Sequence, residues 1–566
     1  MQMDTIITGQ DEQLAVVRVQ RGCRLAIAAC ALINCWMCRF QMNPDGVSYL
    51  DMGDQYCKGN WQAALNSYWS PLYSWLTGLM FLVTKPSMRW EYPEVHFLNF
   101  VIFVATLFCF EFFWRELLTS RSDKAWEGVS RLYAWILGYL LFACVLFGAS
   151  VLALVTPDLL VAALVLVVSG MMLRFTAGRV NTASAGLLGV LLGVGYLAKA
   201  AMFPFAFIAM MTMLAVAWKL HRRKSLVAAT LLGFLLVSMP FVIVLSRNQH
   251  RFTFGDSAKI TQGWFVNGVN PNFRHWQGNG TGNAGALHPT RKVLSWPEIY
   301  EFATPVEGTY PVWYNPAYWY AGLDSSVHPV WEIKTFFRNM AHLEEYFLRQ
   351  LGFLTTIMLM MFFLSDRIKE YGRRFIDFWP ILVPTVAVFL MYAMVYWEQR
   401  YTIGVMLVVC GAVMASTSIL REDQRIYVLR TASLMLGLMV VCWVLPLLMR
   451  NGYISGRENT QQVVVAERLR TMGIEPGEHV ALIGDGFGEY WARLEKVRIV
   501  AEVPKALDTG DSATAFWNSS PEIEQAALNT LKNTGAKAVI AATAPQFLPP
   551  GWVQIGNTGH AVYFFR

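Results

Sequence analysis

Two aspartates, Asp45 and Asp158, stand at the ends of apolar segments of this 566-residue chain. Asp45 follows the first apolar run, in the stretch NPDGVSY, and Asp158 lies between two later runs, in the stretch TPD. A carboxylate at the edge of a membrane costs free energy unless it is solvated or paired, so each acid is a candidate for chemistry. Alternatively, each caps the helix that follows it, as Asp often does. Together, two such acids could share general-base work or hold a cation.

Two further acids, Asp51 and Asp54, follow Asp45 three residues apart from each other. That spacing puts them on one face of a helix, turned away from Asp45. We expect this face to be solvated and to take no part in chemistry.

Two cations complement the candidate acids. Lys199 ends an apolar run in the stretch GYLAK and is the only charged residue for about twenty positions on either side. Arg400 lies in the stretch YWEQRY, together with Glu398 and Tyr401. A Lys is a compact charge that suits a phosphate, although a snorkelling Lys at a helix end is the simpler interpretation. We expect Lys199, Arg400, Glu398 and Tyr401 to form the substrate or phosphate side of a site.

The elements that must position these residues are long apolar runs. Hydrophobic residues make up 55% of the chain and charged residues 15%, which is typical of a membrane protein. A helix of about 20 apolar residues crosses the hydrocarbon core. We predict spans at approximately 23–41, 95–113, 132–155, 158–173, 182–198, 201–218, 226–246, 345–364, 375–395, 402–420 and 428–449.

The basic residues set the predicted orientation. They cluster before the first span and after the second, fourth, sixth, eighth and tenth, which the positive-inside rule places in the cytoplasm. The N-terminus is then cytoplasmic and the C-terminus extracytoplasmic, in a cell inner membrane. The net charge of +7 comes largely from these clusters, so we expect no nucleic-acid partner. The apolar stretch 71–83 is short for a span, and we interpret it as a helix at the outer interface, with a twelfth span as the alternative.

The predicted orientation places three segments outside the membrane. Residues 1–450 form a transmembrane domain with external loops at 41–94 and 247–344, and residues 451–566 form an extracytoplasmic domain. The second loop contains an aromatic stretch, Tyr310–Tyr320, that suits an aromatic wall or an interfacial anchor. Strand patterns at 479–483, 497–500, 538–541 and 561–565, with helix patterns near 460–472 and at 521–533, predict a soluble α/β fold for 451–566. The fold class is therefore a mainly α-helical polytopic membrane protein with a C-terminal α/β domain.

These features resemble the GT-C glycosyltransferases, in particular the branch of protein O-mannosyltransferases and aminoarabinose transferases. An Asp follows the first span, and the stretch NSYWSPLY is similar to the family's N-x-Y-x-P-P-L-Y-P. A Pro-Asp follows the third span, G-x-x-x-L-x-K closes the fifth, and a late E-x-R-Y precedes an apolar span. The chain departs from the family at Trp69-Ser70-Pro71, where the aminoarabinose branch has an acidic and a basic residue. It also has Asp45-Gly46 where the mannosyltransferases have an Asp-Glu pair.

The resemblance implies a sugar donor linked to polyprenyl phosphate and a direct, inverting transfer to a lipid, glycan or protein acceptor. Asp45 would be the general base, Asp158 the second acidic site residue, and Lys199 and Arg400 groups on the phosphate side. No metal ligand and no cofactor is assigned, although a divalent cation is possible. The alternatives are a ligase, transferase or polymerase of lipid-linked oligosaccharides, and a transporter or flippase of a lipid or sugar.

Overall fold

A computed structural model describes residues 9–120, 129–269, 287–323, 325–346, 348, 351–365, 368–417, 419, 421–505 and 511–565. Parts of the predicted spans and loops fall outside these residues. The first half of the chain is helical throughout. Its helices are α1 (Gly9–Met37), α2 (Pro44–Cys57), α3 (Trp61–Ala64), α4 (Leu72–Thr84), α5 (Met88–Thr119), α6 (Val129–Gly148), α7 (Asp158–Thr176), α8 (Thr182–Ala198), α9 (Met202–Lys219), α10 (Lys224–Asn248) and α11 (Ser257–Phe265).

The second half mixes helices with strands. The helices are α12 (Pro311–Tyr314), α13 (Pro316–Trp319), α14 (Pro329–Glu345), α15 (Gly352–Phe363), α16 (Ile368–Asp377), α17 (Trp379–Val395), α18 (Ile403–Ala415), α19 (Glu422–Met439), α20 (Leu445–Thr471), α21 (Trp491–Glu495), α22 (Ser512–Trp517) and α23 (Pro521–Asn533). A π turn, Val440–Val444, joins α19 to α20, and 3-10 turns occupy Val151–Ala153, Gln399–Thr402 and Gly486–Gly488.

A helix overlaps each predicted span. Within the described part of the chain, six helices are long and apolar enough to cross a membrane, or up to seven if the bent pair α16 and α17 is one span. Shorter apolar helices include α4, α8 and α15. The mainly helical, multi-pass membrane architecture is thus confirmed, whereas the number of eleven spans stays a prediction.

Close backbone approach holds the bundle together at several points. A Cβ atom at Gly189 of α8 would lie 1.9 Å from the carbonyl oxygen of Thr230 in α10, and one at Gly233 would lie 2.3 Å from that of Gly186. Small residues at helix contacts are typical of membrane bundles, because apolar side chains gain little from leaving lipid and close packing must supply the attraction. A similar close contact at glycines joins α2 to α4, where a Cβ at Gly78 would lie 2.7 Å from the carbonyl oxygen of Gly53.

The long second loop and the C-terminal segment share one sheet. Its strands are β1 (Arg291–Ser295), β2 (Glu298–Glu301), β3 (His479–Gly484), β4 (Arg498–Pro504), β5 (Ala538–Ala541), β6 (Trp552–Gln554) and β7 (Ala561–Phe564). The order is β1-β2-β4-β3-β5-β7-β6, with β3 parallel to both β4 and β5. The predicted C-terminal strands at β3, β4, β5 and β7 are confirmed. The pairing of β2 with β4 was not predicted, and it ties the loop to the C-terminal segment.

Helix α20 runs through the residue where the predicted domains meet, from the last predicted span into the sheet region. The division at residue 450 therefore stays a prediction. A continuous helix at this point makes the C-terminal segment an extension of the bundle, and this segment contacts the loops predicted at 41–94 and 247–344.

Candidate active site

Asp45 lies in the first turn of α2, at the end of the bundle where the two predicted external loops meet. The residue before the helix is Asn43, whose side-chain oxygen accepts a hydrogen bond from the backbone N–H of Val155 at 2.8 Å and ties the start of α2 to the segment before α7. Asp45 itself makes no capping bond. Its carboxylate accepts from the Nε1 of Trp313 at 3.3 Å and from the Nη2 of Arg400 at 3.2 Å.

Asp158 is the first residue of α7, and its side chain is only 3% exposed. Its Oδ1 accepts from the Nζ of Lys199 at 2.6 Å and its Oδ2 from the hydroxyl of Thr156 at 2.8 Å. The Nε of Arg400 lies 3.8 Å from Oδ2. The carboxylate is thus occupied by Thr156, Lys199 and Arg400, and no described side chain caps the start of α7.

Lys199 ends α8 with its backbone in an extended conformation. This geometry turns the side chain inward, to Asp158 and to the face of Tyr401, whose ring centroid lies 3.7 Å from Nζ. The ammonium group is therefore held inside the site. The snorkelling interpretation, in which the side chain reaches out to solvent, does not describe it.

Arg400 lies at the centre of the cluster, in the 3-10 turn before α18, with its side chain 14% exposed. It bonds Glu398 through Nε, contacts the hydroxyl of Tyr401 at 3.3 Å, and bridges Asp45 and Asp158. The six residues predicted for the site thus lie together. Three carboxylates and two cations share a small, poorly solvated volume, where charges interact far more strongly than in water.

A cavity of about 490 Å³ opens beside Arg400. Its lining includes Glu398 and Arg400 on one side and His342, Tyr346 and Trp397 on the others. This volume falls in the range of sites that bind small organic ligands. Arg400 and Glu398 are the members of the cluster that line this cavity.

Aromatic side chains from three parts of the chain cluster around Trp313, which donates to Asp45. Trp313 of the Tyr310–Tyr320 stretch stacks on Trp264 with a centroid distance of 5.6 Å and meets Trp69 edge-on at 5.9 Å. Phe487, from the C-terminal segment, meets Trp313 edge-on at 4.7 Å. The aromatic stretch was recognisable in the sequence, but its contact with Asp45 and with the C-terminal segment was not.

The expectation that Asp51 and Asp54 are solvated was wrong. Nη1 of Arg493, in α21, lies 2.8 Å from a carboxylate oxygen of each acid, and its Nε lies 2.7 Å from Glu91 of α5. Burial raises the pKa of the Asp51 carboxyl, although Arg493 acts against this. Burial also acts to raise the pKa of Asp54, but there the guanidinium of Arg493 prevails and the pKa is lowered. Helical spacing showed that the two acids share a face, but not that a residue more than 400 positions away covers it.

Among the described residues, no group of three or more His, Cys, Asp and Glu side chains is arranged to hold a metal ion. The cation between Asp45 and Asp158 is the guanidinium of Arg400.

Comparison with known proteins finds solved structures of similar architecture. No protein-family model matches the sequence, and no curated protein matches it. The crystal structure of ArnT from Cupriavidus metallidurans in the apo state has a TM-score of 0.51 at 11% identity, over 96% of this chain and 98% of that chain. The same protein bound to undecaprenyl phosphate gives 0.46 at 13% identity, over 95% and 97%. The oligosaccharyltransferase of Archaeoglobus fulgidus with Zn and sulfate gives 0.48 at 14% identity, over 92% and 68%.

ArnT is an aminoarabinose transferase of the GT-C superfamily, and its apo structure matches nearly the whole of both chains. This chain therefore has the GT-C membrane fold that its sequence motifs predicted.

Proposed function

We propose that the protein is a membrane glycosyltransferase that transfers a sugar from a polyprenyl-phosphate-linked donor to an acceptor at the extracytoplasmic face of the inner membrane. The observation that carries the proposal is the meeting of Asp45, Asp158, Lys199 and Arg400 at one end of the bundle. These residues come from four distant segments. A purely structural ion pair needs two partners, whereas this cluster supplies a base and two cations next to a cavity.

The proposed chemistry is a direct displacement at the anomeric carbon of the donor sugar. Asp45 takes the proton of the acceptor hydroxyl as the oxygen attacks, and the bond from the sugar to the phosphate oxygen breaks. The polyprenyl phosphate leaves with the electron pair of that bond, and the anomeric configuration inverts. A positioned base contributes about 10²–10⁴-fold to the rate of such a step.

Arg400 and Lys199 would stabilise the negative charge that develops on the leaving phosphate. Fixed cations in a poorly solvated site act strongly on such charge, because water does not screen them. The cavity beside Arg400 would hold the donor phosphate and the first sugar. In support, ArnT, which has the same fold, has been crystallised with undecaprenyl phosphate. Asp158 would hold Lys199 in place for this role.

We propose further that the reaction needs no divalent cation, because Arg400 already bridges the two acids that could hold one. Transfer that persists in EDTA would support this. Loss of transfer in EDTA with recovery on addition of Mn²⁺ or Mg²⁺ would contradict it.

The test of the proposal is the Asp45→Asn variant in proteoliposomes supplied with a panel of polyprenyl-phosphate pentoses and hexoses. Asp423→Asn serves as the matched control, because the side chain of Asp423 is 66% exposed and lies outside the site. We expect the Asp45 variant to lose at least about 100-fold in transfer rate and the control to match the wild type. Full activity of the Asp45 variant would refute the assigned base.

The products of this assay distinguish transfer of a single sugar from oligosaccharide ligation and from lipid flipping. A single sugar added in each turnover supports the proposed reaction. Transfer of a preassembled oligosaccharide block would instead indicate an oligosaccharide ligase. Movement of a lipid-linked sugar across the vesicle membrane without a covalent product would indicate a flippase.

A further inference from the structure

A second cavity, of about 1480 Å³, lies at the end of the bundle opposite the candidate active site. Two helices run from the candidate active site to the wall of this cavity. Helix α7 begins at Asp158 in the site and ends at Thr176 in the wall of this cavity, and α18 begins just after Arg400 and ends at Ala415, also in the wall. The length of α7 gives a separation of about 27 Å, close to the thickness of a hydrocarbon core. The cavity therefore lies at the other face of the membrane.

The wall of this cavity is rich in cations. They are Arg179, Lys219, Lys369, Arg373 and Arg374. Arg179 pairs with Glu116 at 2.7 Å and Arg374 with Glu370 at 2.5 Å, so these two are neutralised inside the protein.

The other three cations, Lys219, Lys369 and Arg373, form no hydrogen bond or ion pair with any described residue. Lys219 faces only the ring of Trp379, at 5.8 Å from the centroid. Asp377 is the one acid of the described lining that is not engaged with a cation. The cavity thus presents three available positive charges against one negative charge.

Helix ends alone do not account for these cations. Helices α5, α7 and α9 all end near the cavity, and cations near a helix C-terminus offset the negative end of its dipole. Arg222 has this role at α7, where its Nη2 donates to the carbonyl oxygen of Thr176 at 2.7 Å. The side chains of Lys219, Lys369 and Arg373 make no such bond within the described residues, so they remain free for a ligand.

Helix α16 connects the cavity to the lipid phase. It is bent by 76° from α17, and so it lies across the end of the bundle. It turns Lys369 and Arg373 to the cavity, while Ile368 and Ile376 are 54% and 66% exposed. A helix with cations beside apolar exposed side chains is typical of one that lies in the membrane interface. A ligand that touches both the cationic wall of the cavity and the exposed apolar side chains of α16 must combine an anionic group with apolar chains.

We propose that this cavity binds the phosphate of an anionic phospholipid, with Lys219, Lys369 and Arg373 as its ligands and the acyl chains beside the apolar side chains of α16. The site is independent of the proposed sugar transfer, since it lies at the opposite membrane face. Its ligand would be a resident lipid of that leaflet and neither donor nor acceptor.

The test measures binding of phosphatidylglycerol to the purified full-length protein in neutral detergent, by native mass spectrometry. The cavity variant combines Lys219→Gln, Lys369→Gln and Arg373→Gln. The control variant combines Arg131→Gln, Arg223→Gln and Lys224→Gln, which removes the same charge from the same end of the bundle without touching the cavity. We expect at least tenfold weaker binding for the cavity variant and less than a twofold change for the control.

Two further arms decide the source of the ligand. Phosphatidylcholine should bind at least tenfold more weakly than phosphatidylglycerol, and the deacylated headgroup, glycerophosphoglycerol, should bind weakly to the wild type. Equal loss of phosphatidylglycerol binding in both triple variants would show that diffuse surface charge, and not this cavity, attracts the lipid. That result would overturn the proposal. Equal binding of the deacylated headgroup would show a free-anion site instead. If the cavity triple variant does not fold, the pair Arg373→Gln and Arg131→Gln gives the same comparison at about a fivefold expected difference.

Discussion

The Nη2 atom of Arg400 lies 3.2 Å from the carboxylate of Asp45, although 355 positions of the chain separate the two residues. The same guanidinium faces Asp158 at 3.8 Å, so one side chain bridges both acids of the site. Asp45 lies in the first turn of α2, whereas Arg400 precedes α18, an apolar helix of the bundle. This contact therefore sets where α2 sits on the bundle, and it brings the proposed base next to the proposed phosphate site.

Replacing Arg400 tests that bridge. Arg400→Gln leaves Asp45 and Asp158 without the shared cation, and we expect sugar transfer to fall by about 100-fold or more. Arg400→Lys keeps the charge but loses the planar fork that reaches several acids at once, so we expect an intermediate loss of about tenfold. Arg421→Gln is the control, because the side chain of Arg421 is 68% exposed and pairs only with Asp423 among the described residues. Transfer by Arg400→Gln within threefold of the wild type would contradict the role.

Arg493 links the C-terminal segment to the bundle through the buried carboxylates of Asp51 and Glu91 and the partly buried carboxylate of Asp54. Arg493→Gln removes the ion pairs of Asp51 and Asp54 with this guanidinium and leaves Glu91 with Lys496 at 3.8 Å, and we expect the free energy of unfolding to fall by about 3–5 kcal/mol. The matched control is Arg89→Gln. Arg89 also joins the two parts, through Glu467 at 3.8 Å, but its side chain is 67% exposed. An exposed pair contributes about 0–1 kcal/mol, so the control should melt close to the wild type in detergent. Equal effects of the two variants would show that burial does not matter at this contact.

Glu495 makes the C-terminal segment sensitive to pH. Its side chain is fully buried, Oε2 has no hydrogen-bond partner among the described residues, and burial raises the pKa of the carboxyl to about 7. A carboxyl whose pKa is higher in the folded state than in the unfolded state favours folding at low pH. That stability is fully present below about pH 4.5 and is lost as the pH rises through about 7.

Glu495→Gln removes this titration while it keeps the oxygen that accepts from Arg470 at 3.1 Å. We expect the variant to gain stability relative to the wild type between pH 5 and pH 8.5, by about 2–3 kcal/mol. Melting temperatures of both proteins at the two pH values measure the change. The comparison across pH cancels any constant cost of the substitution. A difference that does not depend on pH would contradict the assignment.

The glycines of α8 allow a test of the close helix contact. A Cβ at Gly189 would lie 1.9 Å from the carbonyl oxygen of Thr230, whereas a Cβ at Gly186 would have nothing within 4 Å. Gly189→Ala must push α8 away from α10, and we expect a loss of at least about 2 kcal/mol together with weaker transfer, since α8 ends at Lys199. Gly186→Ala gains helix propensity without a clash, so we expect a stability equal to or above that of the wild type, by up to about 1 kcal/mol. The same melting temperature for both variants would contradict the packing.

Much of this fold could be predicted from the sequence, because apolar length and strand periodicity are local properties. The helices at the predicted spans and the strands β3, β4, β5 and β7 belong to this class. The pairing of β2 with β4 could not be predicted, because about 200 positions separate the strands and a short loop strand carries no signal of its partner.

The candidate site shows the same division. Asp45, Asp158, Lys199 and Arg400 could be found because a charge beside an apolar run is conspicuous. The predicted sidedness put them at the same face of the membrane, but it did not predict which of them contact each other. Trp313 and Arg493 were missed for a physical reason. Trp313 is one aromatic residue among many in its stretch, and only the folded chain shows that it donates to Asp45. Arg493 is an ordinary Arg of a soluble segment in the sequence, and only the folded chain shows that it is buried among acids.

The measurement that tests the central claim most directly is a structure of the wild-type protein with undecaprenyl phosphate in a lipid nanodisc. We expect a phosphate in the cavity beside Arg400, within hydrogen-bond distance of its guanidinium or of the ammonium of Lys199. A phosphate held away from both cations, with the bridge from Arg400 to Asp45 and Asp158 unchanged, would contradict it.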